Sequence, residues 1–261
     1  MRRILATLLI CFVMSTNVSS QSLSERQKHL ATIAALEAQG DLTRLEPAVR
    51  NAMDGGLTIN EVKEVFSHLY AYTGFPRSLN ALGVLNKLLG TENSAWAEGE
   101  PWVRPSLWDN SKESLAVGTD VQTKLSGGPF NYQFCPQIDY YLKSHLFGDI
   151  FAGDQLSDAD REIVTVAALS ALRGVSPQLA AHKAGAVNMG NSQEVVDELC
   201  RFLSENGLLR MTLPAILLRV TGLKATLMMR TPSISQETAI LLQSSQKILQ
   251  VQRILYKDTL T

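Results

Sequence analysis

Four histidines, His29, His68, His145 and His182, are the imidazoles from which this chain can build proton-transfer or metal chemistry. No two stand four residues apart, and neither a His-x-Glu-x-x-His nor a Cys-x-x-Cys pattern occurs. The ligand spacings of zinc sites are therefore missing, and no metal or cofactor is expected. Nucleophilic-serine elbows and Gly-rich phosphate loops are also missing. What remains is acid/base work by positioned side chains.

The best cluster for that is Glu162 with His182, and Gln178 four residues before His182 on the same helical face. Glu162 falls near the start of one helix and His182 near the start of the next. The short turn Arg173-Gly174-Val175 makes the two helices antiparallel. If the two side chains share a face and a height, the carboxylate holds the imidazole in one tautomer and makes a proton carrier suited to neutral pH. The plainer alternative keeps Glu162 as a solvated acid favoured by the helix dipole and His182 as a structural histidine.

A repeat positions these residues. Leu23-Ser24 and Thr32-Ile33-Ala34-Ala35-Leu36 return 133 residues later as Leu156-Ser157 and Thr165-Val166-Ala167-Ala168-Leu169. One inserted residue near Arg173 moves the offset to 134, after which Leu45, Ala52, Gly56, Val62, Glu64 and Leu69 meet Leu179, Ala186, Gly190, Val196, Glu198 and Leu203. Such self-similarity marks an internal duplication. In the first copy His29 stands where the second has Glu162, and Ala48 where it has His182, so that half cannot hold the same pair. It offers Glu61 and a stripe of Glu64, His68 and Tyr72 at i,i+4 spacing, which reads equally as a solvent-facing stripe or as the wall of a pocket.

Both copies carry helix punctuation. Ser24-x-x-Gln27, Thr43-x-x-Glu46 and Thr58-x-x-Glu61 are capping signatures, with stops at Gly40, Gly55-Gly56 and Gly74-Phe75-Pro76. A further helix is expected over 77–89. Ser157, Ser176-Pro177 and Ser192 repeat the pattern in the second copy, and Pro136 opens a helix that leads into it. No period-two alternation runs long enough for a sheet, so the fold class is all-α.

The ends and the middle differ from the copies. Met1-Arg2-Arg3, an apolar run over 4–14 and the small polar stretch 15–20 have the order of a signal peptide, cut near Ser20. The chain is then expected to be secreted or periplasmic. A lipidated Cys11 is disfavoured by bulky Ile10. The remaining Cys135 and Cys200 either pair or stay as buried thiols. Residues 91–134 form a linker with all three tryptophans, Trp96, Trp102 and Trp108, expected to lie across the helices. The organisation is thus 1–20 signal peptide, 21–90 first domain, 91–134 linker, 135–205 second domain and 206–261 a divergent helical tail. That tail reads as a cover for the core or, less simply, as a membrane or partner helix. A formal net charge of -1 gives no electrostatic reason to expect nucleic acid as a partner.

Several of these stretches resemble the carboxymuconolactone decarboxylase family, in particular its tandem two-domain members. They are Glu61-Val-Lys-Glu-Val-Phe-Ser-His68-Leu-Tyr-Ala-Tyr72-Thr-Gly74-Phe75-Pro76, Arg161-Glu162-Ile-Val-Thr-Val-Ala-Ala-Leu, Gly174-Val-Ser-Pro-Gln178-Leu-Ala-Ala-His182, and His145-Leu-Phe-Gly-Asp-Ile-Phe. The resemblance implies alkylhydroperoxidase D-like helical hairpins that assemble as homo-trimers or hexamers and act on a small molecule. It implies decarboxylation or isomerisation of a small unsaturated lactone or carboxylic acid, with His182 as proton donor, Glu162 orienting it, and Gln178, His68, Tyr72 and Glu64 around the substrate. In the sister peroxidases a Glu, a Cys-x-x-Cys and a His form a thiol relay. Val175 and Gln178 occupy the cysteine positions here, which disfavours peroxiredoxin-type activity. A non-enzymatic helical binding module is the remaining alternative.

Overall fold

A computed structural model describes residues 22–92 and 95–210. The expectations for residues 1–20 and for the tail beyond 210 lie outside the described residues. Among the described residues the protein is all-helical, with no strand. The first copy forms α1 (Glu25–Gln39), α2 (Leu42–Asp54) and α3 (Ile59–Thr73), followed by α4 (Phe75–Thr91). Next come a 3₁₀ turn (Ser106–Asp109), α5 (Ser111–Ser126), and α6 (Pro136–Tyr140), which continues directly as a π-helix (Tyr141–Ile150). The second copy is α7 (Asp158–Ala171), α8 (Ser176–Asn188) and α9 (Gln193–Glu205). The helix starts of the two copies thus repeat with the offsets seen in the sequence.

Local chemistry accounts for most of these boundaries. Ser24 and Gln27 close a reciprocal capping box, as do Thr58 and Glu61, and Ser157 and Ser192 accept from the backbone of Asp160 and Val195. Three starts differ from expectation, α8 among them, where Val175 rather than Ser176 is the N-cap and no side chain caps the first turn. α2 is capped by Asp41, which accepts from the Arg44 amide at 3.2 Å, rather than by Thr43. Asp is as good a cap as Thr, and Gly40, left-handed at φ 68°, delivers the chain to it first. α4 starts at Phe75 rather than Arg77, because Pro76 fits the first turn, where a missing N–H costs nothing.

The centre is the pair α1 and α7, which pack together, one from each copy. Ala31, Ala34, Ala35 and Ala38 on α1 and Val164, Ala167, Ala168 and Ala171 on α7 are all buried. Small side chains allow two helix axes to approach closely, and the larger Leu and Val residues of α2, α3 and α9 close over the outside. At the edge of this seam Arg26 pairs with Glu61 at 2.6 Å and Asp160 at 2.7 Å, tying three helices together.

The stretch 91–134 is more ordered than a plain connector. Its first part crosses the start of α3, where the Ile59 and Asn60 amides donate to the carbonyls of Ala97 and Glu98, both at 3.0 Å. Trp96 packs against the core and donates to Asp54 at 2.8 Å, whereas Trp102 and Trp108 stay exposed. Its second part is α5, capped by Asn110 and ended by left-handed Gly127. α5 crosses the π-helix at a contact that only glycine allows. A Cβ on Gly118 would overlap the Lys143 carbonyl and approach the Gly148 amide, two groups five residues apart, the spacing of a π turn. Gly148 in turn lies against the Ser114 carbonyl.

Glu37, near the end of α1, is buried with Oε2 unpartnered, and burial lifts its carboxyl from 4.5 to about 7 against the opposing pulls of Thr73 and Arg77. The Thr73 hydroxyl lies 2.7 Å from Glu37 Oε1 and 3.0 Å from the Leu69 carbonyl. Its one hydrogen is shared between these two acceptors.

Two predictions follow from this packing. Gly118→Ala is expected to cost about 2 kcal/mol or more through steric overlap with backbone, read as a drop in Tm of roughly 5 °C or more; an unchanged Tm refutes the crossing. A carboxyl raised in the folded state stabilises below its unfolded pKa, and that stability is lost as pH rises through about 7. Glu37→Gln should therefore match wild type in thermal unfolding at about pH 4 and exceed it at about pH 8, by at most about 3 kcal/mol.

Candidate acid/base site

α7 and α8, joined by a four-residue turn, run back to back and bring Glu162 and His182 into contact. His182 Nδ1 lies 2.9 Å from Glu162 Oε2. Glu162 is fully buried and His182 is 8% exposed. The carboxylate is thus spent on one ring nitrogen, while Nε2 has no partner among the described residues. The second carboxylate oxygen, Oε1, is buried without a partner.

The first copy supplies the other half of the cluster through α3, which packs on α7. Glu64, His68 and Tyr72 do not form a solvent stripe; Glu64 and His68 are buried. Arg161, fully buried, donates through Nη2 to Glu64 at 2.5 Å and to the Gly153 carbonyl at 2.8 Å. The Thr165 hydroxyl donates to the Arg161 carbonyl at 2.9 Å, so it must accept from His68 Nε2, also at 2.9 Å. His68 therefore carries its proton on Nε2 and offers Nδ1 to Arg161 Nη1 at 3.5 Å. Burial first, then the charges of Arg161 and His182, push His68 well below the ordinary imidazole value, and it stays neutral.

Tyr72 stands between the two imidazoles, its ring 5.3 Å from His68 and edge-on to His182 at 5.5 Å. Its hydroxyl is buried without a hydrogen-bond partner. Burial and the neighbouring Glu162 carboxylate raise the phenol above its ordinary value, so it remains a donor. Gln178 lies one turn before His182, exposed, with no hydrogen bond among those described.

The cluster is a composite of both copies, and the place related to it by the repeat is bare of the same chemistry. There His29 rests against Gly55, Ala48 replaces His182, Phe202 replaces His68, and Glu198 accepts from the Leu23 amide at 2.9 Å. Arg161 and Thr165 were missed by sequence reasoning. The signal was partial: Arg161 stands beside Glu162 where the acidic first turn of α7 gives way to its apolar run.

The sequence has counterparts among known proteins. The model of the carboxymuconolactone decarboxylase family matches residues 12–87 and 136–206, one stretch for each copy and together more than half of the chain. The chain belongs to the carboxymuconolactone decarboxylase family. It is also similar to Peroxisomal protein 2 of Saccharomyces cerevisiae (strain ATCC 204508 / S288c), with 34% identity over 62 residues. That alignment covers 24% of this chain and 22% of the yeast protein. Within the family match lie α1 to α3 and α7 to α9, hence every residue of the composite cluster; the Trp-bearing segment and α5 fall between the matched stretches.

Removing Arg161 leaves the Glu64 carboxylate buried and uncompensated. Arg161→Leu is expected to cost about 3–5 kcal/mol in thermal or urea unfolding, with much of that recovered in Glu64→Leu/Arg161→Leu. A double variant no more stable than the single one contradicts the pairing.

Proposed function

We propose that this protein is an acid/base lyase or isomerase of the carboxymuconolactone decarboxylase type, acting on a small unsaturated lactone or carboxylic acid. The observation that carries the reading is the 2.9 Å contact between buried Glu162 and His182, with Nε2 left without a partner. In a decarboxylation of this kind the bond to the departing carboxylate breaks and its electron pair moves toward the lactone carbonyl. One proton must then reach carbon as carbon dioxide leaves. His182 delivers that proton from Nε2, and Glu162 holds the ring and offsets the charge of its protonated form. Tyr72, kept protonated, and Gln178, free of other bonds, donate to substrate oxygen and so stabilise the developing negative charge. His68, held neutral, adds no charge that would compete with the substrate acid.

The described cysteines, Cys135 and Cys200, are free thiols outside the Val175–Gln178 stretch where the sister peroxidases carry theirs. That supports proton transfer over a thiol relay.

The test is carbon dioxide release or isomer formation from a panel of unsaturated lactone acids. His182→Ala should lower turnover about 10²- to 10⁴-fold, and Glu162→Gln at least about tenfold. Equal turnover by His182→Ala and wild type defeats the assignment, and no turnover by wild type favours a binding module.

A further inference from the structure

A cleft of about 710 Å3 borders the cluster at Glu64 and His68 but does not reach His182. One wall is α3, where Asn60, Lys63, Glu64 and Ser67 lie at i, i+3, i+4 and i+7, and Tyr70 carries the lining further. The ten steps of helix from Asn60 to Tyr70 make this wall about 15 Å long. The volume is within the range of small-molecule pockets, but a single-ring acid would fill little of that length.

The rest of the lining belongs to elements outside the first copy. Trp102 and Trp108, 48% and 41% exposed, have ring centres 5.5 Å apart. Trp108 is held in place, since its Nε1 donates to the Asp149 carbonyl at 2.9 Å and the Arg104 guanidinium lies over its ring at 5.7 Å. Tyr70 stacks on exposed Phe75 at 4.4 Å. Two pairs of aromatic rings thus line the cleft and offer flat apolar faces to a ligand.

The polar groups lie at separate places. Lys63 donates to Asn60 at 3.0 Å and forms no ion pair among the described residues, whereas Arg104 is already held by Asp109. His145, on the π-helix, contacts Tyr70 with ring centres 5.7 Å apart, so it belongs to the Tyr70 end, two helical turns from Lys63. Its Nδ1 is 3.0 Å from Asp149 Oδ2, and Asp149 Oδ1 accepts from Ser114 at 2.6 Å. The carboxylate is thereby fixed from both sides, and His145 keeps Nε2 without a partner among the described residues, on a half-exposed ring.

We propose that this cleft is a binding site for an elongated planar carboxylic acid of at least two rings, distinct from the His182 site. Its carboxylate pairs with Lys63, its rings lie against the tryptophans and the Tyr70–Phe75 stack, and a hydroxyl at the far end donates to His145 Nε2. The site stands on its own geometry, whether or not His182 carries chemistry.

Calorimetric titration of the full chain with 4′-hydroxybiphenyl-4-carboxylate tests it. Saturable binding is expected, weakened about tenfold or more by the carboxamide analogue, by Lys63→Met in wild-type background, and by the shorter 4-hydroxybenzoate. His145→Phe should weaken the hydroxylated probe but not biphenyl-4-carboxylate, a difference that loss of folding would not produce. No saturable heat at millimolar probe overturns the proposal. So does equal affinity for acid and amide together with an unaffected Lys63→Met.

Discussion

A guanidinium sealed from water must be met by groups that cannot move away, and much of this structure follows from how Arg161 is met. Its two terminal nitrogens reach Glu64 and His68 on the first copy and the Gly153 carbonyl just ahead of the second. The pairing spans 97 residues of chain, so neither copy can bury its own part of the cluster alone. A buried ion pair adds little net stability compared with apolar packing, but breaking it is costly. Its effect here is to fix the register of α3 on α7, which places Tyr72 beside Glu162 and His182. Arg161 Nε remains buried without a partner, an imperfection consistent with a cluster arranged for geometry more than for stability.

The duplication explains why one composite cluster forms and its counterpart does not. The α1–α7 pairing is close to symmetric, built from matching small residues on both helices, and it would place α9 against α1 much as it places α3 against α7. The side chains then break the symmetry. Glu198 turns to the Leu23 amide, and Phe202 occupies the position of His68 with an apolar ring that needs no hydrogen-bond partner. The shared backbone frame is thus retained in both places, while among the described residues only one brings a carboxylate and an imidazole into contact.

Much of this was legible in the residues themselves. Ser24, Thr58, Ser157 and Ser192 announced helix starts because capping is chemistry among residues three apart. The change of offset near Arg173 reappears as a longer turn before α8 than before α2. The contact between Glu162 and His182 was readable as a pair, since only 20 residues and one turn separate them, though not as a distance. Other features depend on tertiary contact and left no local trace. Glu64, His68 and Tyr72 have the spacing of a solvent stripe, and only the approach of α7 makes them interior. Gly118 reads as a flaw in a helix until the Lys143 carbonyl is seen to occupy the space a Cβ would need.

That last contact links the elements between the family-matched stretches to the chemistry they border. A π turn widens the helix by one residue, and here the wider turn is seated against α5 through Gly118 and Gly148. The same stretch carries His145 and Asp149, and Ser114 on α5 reaches across to the Asp149 carboxylate. Trp108 is bonded to the Asp149 carbonyl, so the exposed tryptophan and the oriented histidine are fixed by one residue. A substitution that restored ordinary helical pitch would turn His145 and Asp149 and so take from Trp108 the carbonyl that holds it, which ties the unusual backbone to the aromatic cleft.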